Sequence, residues 1–229
     1  HQQWIDEFDR LKEVEYNKVI KKDIYPENGK LRMPEVIHTL SEKTSGEAIV
    51  VTDVGQHQMT TARYYKFNSP NSLITSGGLG TMGFGLPAAL GASLAAPDKQ
   101  VILIVGDGGL QMTIQELATI KQQNVNVKII VLNNSYLGMV RQWQELFMEK
   151  RYSFTNMNNP NFVKIAEAYG IKSKRIHLEK ELDKAFNEML LDNEPYFLEI
   201  ETEKEDNVFP MVPSGASVSE IILEPQTNA

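Results

Sequence analysis

The sequence has no cysteine and only two tryptophans among its 229 residues. The first absence excludes disulfides, thiolate metal sites and cysteine nucleophiles, and it fits a reducing compartment such as the cytoplasm. Long apolar runs are also missing. No uninterrupted stretch approaches the ~18–20 residues that a membrane span needs, so no membrane partner is expected. Basic runs are absent, and the net charge is −7, which argues against a phosphate-reading surface for nucleic acid. There is no G-x-G-x-x-G and no G-x-x-x-x-G-K-[ST], so the dinucleotide and P-loop readings both lack their residues. No internal repeat, low-complexity segment or signal peptide is visible. The chain opens on His1 rather than Met, as expected of a processed, tagged or excised polypeptide.

What is present centres on Val101 to Asn134. Val101–Val105 is an apolar, β-branched run without alternation, which suits a strand buried on both faces. It stops at Gly106-Asp107-Gly108-Gly109. A helical segment follows, for which Thr113 and Glu116 offer a capping box. Val127–Leu132 is a second buried strand, ending at Asn133-Asn134. Strand, helix and strand make one βαβ unit with parallel strands. Both polar clusters therefore fall at carboxyl ends of strands, where open α/β sheets place ligands.

The flanking chain extends this pattern. Trp4, Ile5, Phe8, Leu11 and Val14 recur at helical spacing in Trp4–Lys22, predicting an amphipathic helix lying on a larger body and broken at Pro26–Gly29. Pro34 suits the first turn of a helix reaching about Thr44. Ala48–Thr52 reads as a strand and ends in Asp53-Val54-Gly55-Gln56-His57. Leu73–Thr75 is a further short strand that opens into the glycine-rich stretch Ser76–Pro87 and a helix to Ala96. Such glycines let a backbone pass close to a ligand or another chain. Leu137–Lys150 predicts a helix with Met139, Val140, Trp143, Leu146 and Phe147 on one face, Leu146 and Phe147 being core. Asn156–Pro160 is a loop and Phe162–Tyr169 a helix. Ser173–Ile176 is a strand, Glu179–Leu191 a helix and Tyr196–Glu201 a last strand. The charged run Glu201–Asp206 reads as a solvated loop, and His38 and His177 as structural or surface residues. Strands alternating with helices predict a doubly wound, mostly parallel sheet. The expected division is a leading helix over 1–30, one domain over 31–205 and a tail over 206–229.

Asp107 and Asn134 would end neighbouring strands. A hard divalent cation such as Mg²⁺ takes oxygen ligands and commonly shares them with phosphates. One carboxylate, one amide oxygen and one backbone carbonyl would leave room for two phosphate oxygens and a water. Each cluster alone has an ordinary explanation, because Asp-Gly after a strand is usually a turn and Asn-Asn often caps a helix.

The spacing GDG, twenty-four residues, then Asn133-Asn134 resembles the cofactor motif of thiamine-diphosphate-dependent enzymes. Gly55-Gln56-His57-Gln58-Met59, SGGLGTMGFGLPAALGA at Ser76–Ala92, IQELAT at Ile114–Thr119 and LGMVRQWQELF at Leu137–Phe147 narrow the resemblance. Together they are similar to the C-terminal third of the catalytic subunits of the acetolactate synthase family, as is Met211–Ala216.

That resemblance implies a three-layer α/β/α fold with a six-stranded, mostly parallel sheet. It implies thiamine diphosphate and Mg²⁺ as cofactors. Asp107 and Asn134 would bind the metal through side chains, and Tyr136 through its carbonyl. Gly55, Gln56, His57, Gly106, Gly108, Gly109, Leu137 and Gly138 would surround the diphosphate. Gly80 would hold the aminopyrimidine amine, and Met82 would support the bent cofactor. Met139, Val140 and Trp143 would line the substrate pocket. Gly109 stands where Ser or Ala is common in the family. The implied activity is decarboxylation of pyruvate and its joining to pyruvate or 2-oxobutyrate, in branched-chain amino-acid biosynthesis. The family's activating Glu, and most contacts to its FAD, lie on domains without a counterpart here. No catalytic residue is therefore expected on this chain, and the isolated chain is expected to be inactive. Implied partners are further copies of the subunit and a small regulatory subunit. Alternatives are a pyruvate oxidase, a glyoxylate carboligase or a non-catalytic dimerisation module.

Overall fold

The computed structural model describes residues 1–27 and 31–224. Asn28 and Gly29 of the expected Pro26–Gly29 break and residues 225–229 of the tail lie outside the described residues.

The strands are β1 (Ile49–Thr52), β2 (Leu73–Thr75), β3 (Val101–Gly106), β4 (Val127–Asn133), β5 (Lys172–Ile176) and β6 (Tyr196–Glu201). They form one six-stranded sheet in the order β2-β1-β3-β4-β6-β5. All five pairings are parallel. The helices are α1 (Gln2–Glu15), α2 (Lys21–Ile24), α3 (Met33–Lys43), α4 (Gln56–Tyr64), α5 (Gly85–Ala95), α6 (Asp107–Thr113), α7 (Glu116–Gln123), α8 (Gly138–Phe147), α9 (Phe162–Ala168) and α10 (Glu179–Leu191). A wide π-helical turn, Tyr16–Ile20, joins α1 to α2.

The β3 and β4 sequences explain the layering. Both are apolar along their length because both faces are covered. Ile102, Ile104, Ile130 and Leu132 pack with Val36, Ile37 and Leu40 of α3 and Phe186 and Met189 of α10. Leu103, Val105, Ile129 and Val131 point the other way, toward Leu86 of α5, Leu110 of α6, Leu117 of α7 and Phe162 of α9. The result is the doubly wound parallel sheet that the alternating pattern predicts, in the three-layer α/β/α form that the resemblance implies. The chain moves outward from β1 to β2, then returns past β1 to β3. Ligands in open sheets bind at such a switch.

Four local expectations are corrected. First, the leading helix does not lie along the body through its whole length. Trp4, Ile5, Phe8 and Leu11 are exposed, and α1 buries no residue. Glu15 pairs with Arg63 of α4, and burial begins at Val19, which packs with Phe209 and Met211 of the tail. Asp23 adds bonds to Tyr64 and Arg32. Second, Thr113 and Glu116 form no capping box. The helix starts at Asp107 itself, and Thr113 Oγ1 donates instead to the Gly83 carbonyl at 3.0 Å. Third, α8 inverts its expected faces. Its buried residues are Arg141 and Gln142, whereas Phe147 is exposed and Leu146 only partly covered. The polar pair can be buried because it is fully partnered. Arg141 pairs with Glu145 at 2.8 Å and lies over the Tyr136 and Tyr152 rings. Fourth, Asp206 is no solvated loop residue, since its carboxylate takes two bonds from Arg32, at 2.6 and 2.7 Å.

Candidate cofactor site

The carboxyl ends of β1, β3 and β4 open on one cleft. Among the described residues it is lined by Gly55, Gln56, His57, Met82, Gly106, Asp107, Gly108, Gly109, Asn134, Tyr136, Leu137, Gly138, Met139 and Val140, with Met33, Val54 and Leu132. Thus almost every residue singled out from the sequence meets in one place. Gly80 and Trp143 do not line it. Gly80 sits in the exposed turn before Met82, and Trp143 lies farther along α8 against Phe147, their rings 4.9 Å apart. His38 pairs with Glu42 on α3 at 3.5 Å, and His177 is exposed beyond β5.

Glycine is required here by close approach. A Cβ at Gly138 would stand 2.1 Å from Gln56 Oε1 and 2.9 Å from Asn134 Nδ2. At Gly108 it would meet Leu137 at 2.6 Å. The Gly109 position is closed as well, with Asp53 Oδ1 at 2.2 Å, so a Ser or Ala there would need Asp53 to move.

Asp53, unassigned from the sequence, ties the glycine-rich turn to the sheet. It is fully buried and accepts bonds from the amides of Gly83 at 3.1 Å, Gly85 at 2.7 Å and Val54 at 2.8 Å. Met82 is thereby fixed beside the cleft. A buried acid at a strand end was visible in the sequence, but its amide partners thirty residues away were not.

His57 is buried, and burial pushes its pKa down to about 4 against the opposing pull of Asp53. It is neutral at physiological pH. Its Nε2 is buried without a partner. Asp107 is 1 % exposed. Burial pushes its carboxyl up to about 6, while Asn159 and the amides of Gly108 and Ser135 pull it back. Asn134 Oδ1 accepts from the Tyr136 amide at 3.2 Å, and its Nδ2 points to Gln56 Oε1 at 3.4 Å. The intervening Ser135 holds φ +58°, a left-handed conformation that costs free energy outside glycine.

Gln56 extends the network. Its Nε2 donates to Gln142 Oε1 at 3.0 Å and to the Asp206 carbonyl at 2.8 Å. Gln142 in turn donates to the Val208 carbonyl at 2.9 Å and accepts from the Val208 amide at 2.8 Å. The tail is thus bonded to the cleft wall.

Helices α4, α6 and α8 all begin at the cleft, at Gln56, Asp107 and Gly138. Their free amides and dipoles favour an anion there. No lysine or arginine lines the cleft among the described residues. An incoming diphosphate would therefore meet amides and dipoles, and a cation beside Asp107 would complete the neutralisation. The donor set suits a hard cation: a buried carboxylate, an amide oxygen and the Tyr136 carbonyl on the same cleft. The orphaned His57 Nε2 and the glycine-lined wall likewise fit a ligand that brings polar atoms close to backbone. On these observations the residues fit thiamine diphosphate with Mg²⁺.

Comparison with known proteins agrees. The family described as thiamine pyrophosphate enzyme, C-terminal TPP binding domain, matches residues 53–200. The chain belongs to this family, and thiamine diphosphate is the cofactor of such domains. Among curated relatives, the acetolactate synthase large subunit of Lactococcus lactis is 47 % identical over 216 residues, covering 93 % of this chain and 37 % of the relative. The mitochondrial acetolactate synthase of Schizosaccharomyces pombe is 49 % identical, covering 85 % and 30 %. Isozyme 2 of Escherichia coli is 45 % identical, covering 82 % and 35 %. These relatives bear out the resemblance to acetolactate synthase catalytic subunits. The chain spans about a third of their length. A benzoylformate decarboxylase from Polynucleobacter necessarius has a similar structure, with TM-score 0.71 and 26 % identity over 78 % of this chain and 34 % of that one. No helix among the described residues is long and apolar enough to cross a membrane.

Proposed function

We propose that this chain, residues 31–205 above all, is the thiamine-diphosphate and Mg²⁺ half-site of an acetolactate synthase. The longer protein would condense pyruvate with pyruvate or 2-oxobutyrate in branched-chain amino-acid biosynthesis. The observation that carries the reading is the cleft at the β1, β3 and β4 ends, where Asp107, Asn134 and three helix starts converge without a basic residue.

Each residue then has a task. Asp107, Asn134 and the Tyr136 carbonyl hold the metal. Gln56, His57 and the amides of Gly108, Gly109 and Gly138 take the diphosphate, with Gly55, Gly106 and Leu137 shaping the wall. Asp53 fixes the turn that carries Gly80 and Met82 toward the aminopyrimidine. Met139, Val140 and Trp143, on the exposed face of α8, form the apolar side of the substrate cleft. Bound thiamine diphosphate supplies the electron sink for decarboxylation and carbon–carbon bond formation, and the protein supplies binding and orientation. The group that activates the cofactor, the FAD contacts, the partner copies and a regulatory subunit belong to the longer protein in this reading, placed in the cytoplasm.

A product assay with pyruvate, thiamine diphosphate and Mg²⁺ tests it. The longer polypeptide should form acetolactate and the 229-residue chain alone should not. Robust acetolactate from the isolated chain would overturn the division of the site, and oxidation of pyruvate or condensation of glyoxylate would reassign the enzyme. Calorimetric titration of thiamine diphosphate with and without Mg²⁺ separates a cofactor site from a purely structural module.

A further inference from the structure

The loop between α8 and α9 reads as a plain connection in sequence, yet it touches both arms of the metal site. Leu137 N donates to the Thr155 carbonyl at 2.8 Å, and Met157 N donates to the Ser135 carbonyl at 2.8 Å. Tyr136 and Asn156 form an antiparallel bridge between them. The loop is therefore zipped along the segment that carries the Tyr136 carbonyl. Two residues later Asn159 Nδ2 donates to Asp107 Oδ2 at 2.6 Å. One loop thus grips the segment after β4 through its backbone and the carboxylate after β3 through a side chain. Phe162, fully buried at the start of α9, anchors the loop's far end in the core.

The Asn159 carboxamide is itself held in one orientation. Its Nδ2 also donates to Asn133 Oδ1 at 3.0 Å, and its Oδ1 accepts from Gln111 Nε2 at 3.0 Å. A flipped amide would lose all three bonds. Asn133 is fixed in turn, donating to Glu199 Oε1 at 2.8 Å, and Glu199, wholly buried, pairs with Arg175 at 2.9 Å. A chain of side chains therefore runs from an ion pair across β5 and β6 to the acid at the head of α6.

We propose that Asn159 is a positioning residue for metal binding. It occupies one oxygen of Asp107 from behind, turns the carboxylate toward the cleft and sets the spacing between the two arms of the site. Groups that orient metal ligands in this way are typically worth 10–100-fold in metal affinity. The inference rests on the reading of the cleft as a thiamine-diphosphate and Mg²⁺ site.

The test uses the longer protein that carries this chain, with two readouts. One is the Mg²⁺ concentration for half-maximal binding at saturating thiamine diphosphate, followed by intrinsic fluorescence. The other is the melting temperature of the metal-free protein. Asn159→Ala should raise half-saturating Mg²⁺ by 10–100-fold, whereas Asn158→Ala, an exposed neighbour on the same loop, should leave it unchanged. Asn159→Leu keeps the side-chain volume without the donor and should behave like the alanine variant, which covers a folding failure of the latter. Unchanged Mg²⁺ dependence in a folded Asn159 variant overturns the proposal, as does a rise that merely tracks a loss of metal-free stability. If the wild-type protein shows no Mg²⁺-dependent binding of thiamine diphosphate, the functional reading itself fails.

Discussion

The two ends of the same β-sheet treat buried polar groups in opposite ways. At the amino end, Lys128 of β4 is 1 % exposed. Its ammonium donates to the carbonyls of Asp192 and Glu194, each at 2.7 Å, closing the turn between α10 and β6. That cation has a structural task, tying two carbonyls of the turn. At the carboxyl end, His57 Nε2 is buried without a partner, burial raises the Asp107 carboxyl to about 6, and Ser135 holds a strained backbone. A native interior normally satisfies its polar groups, so an orphaned ring nitrogen and a strained backbone beside a cleft fit a place where a ligand completes the structure.

Breaking this contrast should have graded effects. The largest is expected for Asp107→Ala in the longer protein, where Mg²⁺-dependent binding of thiamine diphosphate should be lost; an unchanged affinity in a Mg²⁺ titration would refute the assignment. Gly138→Ala comes next, since its methyl would press on Gln56 and Asn134. Calorimetry should show cofactor affinity down roughly tenfold to a hundredfold, with the fold retained by circular dichroism. Lys128→Met acts at the other end. It should cost about 2 kcal/mol in denaturant unfolding by removing two charge-assisted bonds to the turn, while cofactor affinity stays at wild type. Lost affinity there would dissolve the distinction between the ends.

A pH effect sharpens the comparison further. Asp107 titrates at about 6 in the folded chain, against an ordinary 3.8. Between those values the folded state holds the proton more tightly than the unfolded state. Asp107's own contribution to the stability of the metal-free chain should therefore be full below about pH 4 and be lost as pH rises to about 6. Asp107→Asn should flatten that slope in a thermal-melt series. The smallest effect is expected for Phe8→Asp on the uncovered stripe of α1, which should reduce self-association in sedimentation without altering cofactor binding.

How much of this was legible in the sequence depended on the range of the interaction. β3, β4, β6 and α10 were plain, because apolar runs and helical periodicity are local and their burial in a three-layer fold is complete. The polar clusters at strand ends were also local, and their convergence followed from parallel strands alone. What escaped was non-local. Helix α4 carries little apolar periodicity and is fixed by its place behind β1. The inversion of α8 depends on the distant partners of Gln142, which are Gln56 and Val208. The stripe on α1 reads as amphipathic, but periodicity does not say what covers it. Asp53 and Asn159 gained their importance only from what the fold brought beside them.

The link between Gln142 and Val208 has a consequence for which sequence changes the tail can accept. Gln142 contacts only the main chain of Val208, giving one bond and taking another. Main-chain recognition is blind to side-chain identity but sensitive to register. Point substitutions at position 208 should pass almost unnoticed. Inserting or deleting a single residue between Glu201 and Phe209 would pull the carbonyls of 206 and 208 out of reach and loosen Gln56 at the cleft wall. At position 208, then, spacing matters and the side chain, proline apart, does not.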